Sequence, residues 1–279
     1  LSGDEQCIIF SKLCNVLDPG VAVAFGSTSS ELRALTQALL QQLRADHEVA
    51  AALCRKLGMR SCKELREAKG VFGGRGLSTA DLALLATLGS VLPALKVLDL
   101  SMGEQRLAEG LGAGALPNLR LLAIRQTHQG DVGDAGASAL AAALGRGAMP
   151  RLKHLGLSNS AIGDAGLVAL APALRRRPAL EHLDLTRNPL GDEGLIALVG
   201  PPLPPKGGLK KLKLLKLNYT QVSDAGCAAL ASAFDNGALP TLDEFCLHGI
   251  PASVEAIADV HEMYMLSPRF MRNGRFAGA

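Results

Sequence analysis

The chain has 279 residues, 48% of them apolar but only 3% aromatic, and a net charge of +3. So small an excess of charge gives no reason to expect nucleic acid or an anionic membrane as partner, and no apolar run approaches the ~20 residues of a membrane-spanning helix. A core of Leu and Ala with few large rings suits interchangeable layers, the arrangement that stacked repeats require.

The first 69 residues carry no leucine repeat. Gln6 to Leu17 places Ile9, Leu13 and Leu17 on one helical face, and Asp18-Pro19-Gly20 stops it. Thr28 with Glu31 reads as a capping box for a second helix carrying Leu32, Leu35, Leu39 and Leu43. Asp46 can cap a third, with Val49, Leu53 and Leu57 inward and Gly58 at its end. The spacing therefore predicts an all-helical N-terminal cap over 1–69. Its opening, IFSKL followed by a Leu with Asp18-Pro19, then Ser27 to Ser30 and Leu32-Arg33, resembles an F-box. That resemblance implies a ubiquitin-ligase adaptor as the partner of these helices.

Ser61 with Glu64 forms another capping box, yet Leu65 lies one repeat length before Leu95. Leu65 to Phe72 thus reads as a degenerate opening of the repeats. Gly70 to Gly76, GVFGGRG, lacks the Lys-Ser or Lys-Thr of a phosphate loop and reads as a turn. Ser78 or Thr79 can cap a helix bearing Leu82, Leu85 and Leu88.

Repeats follow over 70–279. Leu152, Leu155, Leu157, Ser160 and Ile162 fit L-x-x-L-x-L-x-x-N-x-L with Ser in the Asn place. Leu180, Leu183, Leu185, Asn188 and Leu190 fit it fully, and Leu212, Leu215, Leu217, Thr220 and Val222 fit it with Thr. Further strands are expected at Leu95 to Leu100, Leu119 to Ile124 and Leu242 to Leu247. This pattern resembles the leucine-rich repeat family, and the long copies with GDAG or GDEG opening a helix resemble its ribonuclease-inhibitor type. The resemblance implies an α/β solenoid of about seven units, a curved parallel sheet with outer helices. Helices are expected over 134–144, 164–174, 192–198 and 224–234, each opening on an Asp able to cap its own N–H groups. A closing helix over 253–265 and a basic tail with Arg269, Arg272 and Arg275 end the chain. Pro201 to Gly208, PPLPPKGG, forbids helix and strand and should form a surface loop. Extra residues at His128 to Asp131, and Gly110 to Gly114 in place of a helix, vary the repeat length.

In a parallel sheet alternate side chains share a face. The leucines point inward, so the residues between them line the open, concave face. One column is Asp99, Ala123, Gly156, Asp184, Lys216 and Cys246. Beside it run Val97, Leu121, His154, His182, Leu214 and Glu244. Asn159, Arg187, Tyr219 and Gly249 form a column further along. The candidate partner-binding residues are His154, His182, Asp184, Arg187, Lys216 and Tyr219, because Arg and Tyr dominate interfaces and the charges select a complementary partner. His154, His182 and Asp184 have the donor types of a zinc site, but a polar patch is the reading adopted, with no metal or cofactor expected. A His–Asp pair near Ser158 on an open face excludes no water, so catalysis is not expected either. The six cysteines include no C-x-x-C pair and read as free thiols. With no secretory signal visible, a cytoplasmic location is expected.

The function expected is a non-enzymatic binding module or scaffold that holds a protein on the concave face. If the F-box resemblance is functional, the protein is a substrate receptor of a ubiquitin ligase. The alternatives are a regulator of an enzyme or GTPase by direct contact, and a structural subunit of a large assembly.

Overall fold

The leucines of neighbouring repeats stack in register. In the computed structural model, which describes residues 14–28, 30–73, 77–88, 92–102, 116–126, 132–177, 179–201 and 208–267, Val71, Leu98, Leu122, Leu155, Leu183 and Leu215 pair across five parallel strand contacts. None of them is more than 2% exposed. The strands are β1 (Gly70–Gly73), β2 (Val97–Met102), β3 (Leu121–Gln126), β4 (His154–Gly156), β5 (His182–Asp184), β6 (Leu214–Lys216) and β7 (Glu244–Cys246). They form one 7-stranded sheet in sequence order. That order follows from the repeat: each unit is too small to bury its own apolar face and lies against the next.

Helices return the chain between strands. They are α4 (Thr79–Thr87) after β1, α5 (Gly133–Gly145) after β3, α6 (Asp164–Arg175) after β4, α7 (Asp192–Val199) after β5, α8 (Asp224–Asp235) after β6 and α9 (Val254–Leu266) after β7. Before the sheet come α1 (Gly20–Gly26), α2 (Ser30–Lys56) and α3 (Cys62–Glu67). A single apolar cluster runs from Leu53 and Leu57 of the N-terminal helices through every repeat to Val260 in α9. The IFSKL segment, Gly110 to Gly114, His128 to Asp131, residues 202–207 of the proline-rich insertion and the arginines of the tail lie outside the described residues.

The N-terminal helices differ from the expectation. Residues 30–56 form one helix, not two. No Gly or Pro interrupts this stretch, and Asp46 is held within the helix by Gln42, whose Nε2 donates to Oδ1 at 2.7 Å. The buried stripe is Leu43, Ala50, Leu53 and Leu57, while Val49 and Leu39 are exposed. Thr28 closes α1 by donating its hydroxyl to Phe25 O. Gly58, with φ of 73°, ends α2 as expected, and Met59 N donates back to Cys54 O at 2.8 Å. The Ser61–Glu64 box is present: Glu64 N donates to Ser61 Oγ and Arg60 N donates to Glu64 Oε2. It starts α3, so Leu65 lies in a helix. The repeats open instead on β1, which the glycines of GVFGGRG had disguised as a turn. Ser78 and Asp81 cap α4 reciprocally.

The aspartates that open the helices do not cap their own helices. Each reaches forward to the next repeat. Asp134 Oδ1 accepts from Gly163 N at 2.7 Å. Asp164 Oδ1 accepts from Gly191 N at 2.7 Å and Gly194 N at 2.8 Å. Asp192 accepts from Ser223 N, Gly226 N and the Ser223 hydroxyl. Asp224 Oδ1 accepts from Ser253 N at 2.6 Å. The glycine of each D-x-G receives the preceding carboxylate: a Cβ at Gly166, Gly194 or Gly226 would lie 2.5, 2.8 or 2.4 Å from that Asp oxygen.

Two further devices lock the repeats. The fully buried Asn188 donates to Leu157 O and Leu185 O and accepts from Ser160 N and Ile162 N, so it joins two turns. Thr220 in the same place makes a single bond, to Leu217 O. At the other end of the helices, Arg175 donates to Ala197 O and Gly200 O, and Arg177 donates to Met149 O and Leu144 O. Ala197 O and Gly200 O lie at the C-terminal end of α7, where a helix leaves its last carbonyls open.

Candidate protein-binding face of the sheet

Two of the three columns expected from the sequence are observed. His154 pairs with His182, His182 with Leu214, and Leu214 with Glu244. Asp99, Ala123, Gly156, Asp184, Lys216 and Cys246 follow one another across the sheet. His154, His182, Asp184 and Lys216 line one hollow of about 240 Å³ on the open face, together with Phe72 and Asp99. Phe72, 66% exposed, extends the hollow onto β1. Its place was hidden because β1 has no leucine to mark the register.

The two imidazoles pack edge to face, with centroids 4.1 Å apart and planes at 66°. Burial, with the His182 ring next in effect, pushes the His154 imidazole below its ordinary value. Asp184 turns along its own strand and accepts from Thr186 N at 3.0 Å. Among the described residues no group of three His, Cys, Asp or Glu is placed to hold a metal ion.

Arg187 and Tyr219 stand apart from this hollow. They do not continue a sheet column: with φ of 58° and 55° they occupy the left-handed turn that leaves each strand, as Asn159 does. The chain holds these strained positions with Asn188 and with inter-repeat bonds such as Tyr219 N to His248 O. Arg187 Cζ lies 5.3 Å from the centroid of the Tyr219 ring. Tyr219 in turn meets His248 edge to face at 5.2 Å, and Asn218 Oδ1 accepts from His248 N. The candidate residues therefore fall into a strand group and a turn group. His248 belongs to the second and was not among the candidates.

Three segments, 149–171, 178–199 and 208–231, match the family model described as Leucine Rich repeat. Each spans a strand leucine set and the helix behind it. The chain is a leucine-rich repeat solenoid. Among solved structures, the solenoid is similar to a pollen receptor kinase 3, at 17% identity over 66% of this chain and 76% of that one, with a TM-score of 0.37. It is also similar to the yeast Rad7 and Elc1 complex, at 16% identity over 86% of this chain and 78% of that one, with a TM-score of 0.39. No curated protein matches it. No described helix of the solenoid is long and apolar enough to cross a membrane.

Proposed function

We propose that this protein is a non-enzymatic binding module that holds a protein partner against the open face of its sheet, using His154, His182, Asp184 and Lys216 from the strands and Arg187 and Tyr219 from the turns. The observation that carries this reading is the Arg187–Tyr219–His248 contact group on the turns that leave the strands. Arg and Tyr held on a rigid sheet lose little conformational entropy on binding, and such side chains dominate interface energetics. The parallel sheet holds the strand residues in register.

The test is affinity capture with R187E/K216E against the parent. The variant should melt with the parent, since neither side chain belongs to the buried core, and should lose the proteins that the parent captures. Equal capture at equal yield would refute the reading.

A second reading concerns the N-terminal helices. Val21, Leu39 and Val49 are 55%, 46% and 56% exposed, which favours a further contact surface there. On this reading the F-box-like segment binds a ubiquitin-ligase adaptor, the open face holds the substrate, and the protein works inside the cell. A pull-down with purified adaptor, parent against L39E/V49E, tests it.

A further inference from the structure

The position just before each strand carries its own line of side chains. Lys96 N donates to Lys69 O at 2.9 Å, Arg120 N to Lys96 O at 2.8 Å, Lys153 N to Arg120 O at 2.8 Å, Glu181 N to Lys153 O at 2.7 Å, Lys213 N to Glu181 O at 2.7 Å and Asp243 N to Lys213 O at 2.8 Å. The residues are therefore immediate neighbours along one edge of the sheet. Read across the repeats, the row is Lys, Lys, Arg, Lys, Glu, Lys, Asp. The first four are all cations, stacked at a strand spacing of about 4.8 Å. Lys69, Lys96 and Arg120 are exposed.

The later half of the row shows what this edge does with a carboxylate. Glu181 lies between Lys153 at 2.5 Å and Lys213 at 3.1 Å. Those lysines, Lys153 first, hold its carboxyl down at about 2. The earlier half repeats the cations without an acid between them. Like charges at this spacing repel, and the same edge of a folded chain gains by receiving anions from outside.

We propose that Lys69, Lys96, Arg120 and Lys153 form a docking edge for an acidic, extended segment of a protein partner, whose carboxylates settle between the cations as Glu181 does. The row of four covers about 14 Å, enough for two or three carboxylates projecting from one side of an extended chain at ~3.3 Å per residue. A nucleic-acid backbone fits less well. It would meet Glu181 and Asp243 farther along the row, and few phosphates would be neutralised where affinity rests on many. The row borders the open face, but Lys96 and Arg120 are not among the residues of the proposed function, so failure of K96E/R120E and failure of R187E/K216E are distinguishable.

The test uses the full chain and a fluorescein-labelled oligoglutamate peptide, followed by anisotropy at low salt and at rising salt. The controls are R44E/R55E, which makes the same charge change at exposed positions of α2, and a thymidine oligonucleotide of equal length. K96E/R120E should weaken the peptide about tenfold or more and R44E/R55E less than about twofold, with binding falling as salt screens the charges. K96Q/R120Q, which removes the charges without reversing them, should lie between, and all variants should melt with the parent. Equal losses in K96E/R120E and R44E/R55E would show net charge alone. That result, absence of peptide binding at low salt, or tighter binding of the oligonucleotide would overturn the proposal.

Discussion

Asp164 and Gly194 offer a sharp test of how the repeats are joined. Asp164 accepts two backbone N–H groups of the following repeat, both on buried glycines. Asp164→Ala leaves those donors without their partner, at about 1–3 kcal/mol each where water cannot replace it, so a loss of roughly 2–4 kcal/mol is expected. Gly194→Ala places a methyl 2.8 Å from Asp164 Oδ1 and 3.1 Å from Leu167 Cβ. Overpacking of that kind costs about 1–3 kcal/mol, set against ~1 kcal/mol of helix propensity gained by Ala. In the double variant the carboxylate, the nearest of these contacts, is gone and the methyl meets only the Leu167 side chain. The second substitution should then be nearly neutral or mildly stabilising, with a coupling of about 1–2 kcal/mol. Urea denaturation of the four proteins, with the m-value compared throughout, measures this. Additivity within about 0.5 kcal/mol would mean that the carboxylate does not fill the space above Gly194, and the account of the D-x-G motif would fall.

Leu183, with no exposed surface, should cost about 2–5 kcal/mol as Leu183→Ala in the same denaturation assay, and a loss below half a kcal/mol would contradict the register. Glu181 has its folded value lowered from 4.5 to about 2, so its contribution is present above the unfolded value and is lost as pH falls between those two. Thermal melts should show that loss in the parent and a flatter profile in Glu181→Gln. Asp224 caps through one exposed bond, so Asp224→Ala should cost less than Asp192→Ala, whose carboxylate accepts three; the same urea series ranks them.

The strand register was fully legible because leucines at a period of two leave one arrangement that buries them all. His154 beside His182, and Asp184 beside Lys216, followed from that alone. What escaped depends on partners far along the chain. An Asp at a helix start has the same side chain whether it caps its own helix or a helix 27 to 34 residues later, and only stacking decides. GVFG becomes a strand by pairing with Val97 to Leu100, since its own glycines argue for a turn. The continuity of α2 was missed because capping residues show where a helix can begin, and Asp46 is satisfied inside one. Arg187 and Tyr219 were placed one step too far along the strand, since nothing local marks their left-handed turn except the Asn188 that follows Arg187.

The forward reach of the aspartates gives the solenoid a polarity under truncation. Cutting the chain after α7 leaves α7 with Asp164 still in place. Cutting just before β5 removes Asp164, so the first surviving helix begins with Gly191 and Gly194 bare. Versions shortened from the C-terminal side keep the starts of α6 to α9 finished wherever those helices remain, while those cut just before β4, β5, β6 or β7 expose a raw start. During synthesis the order is favourable: the carboxylate that completes a helix leaves the ribosome before that helix does.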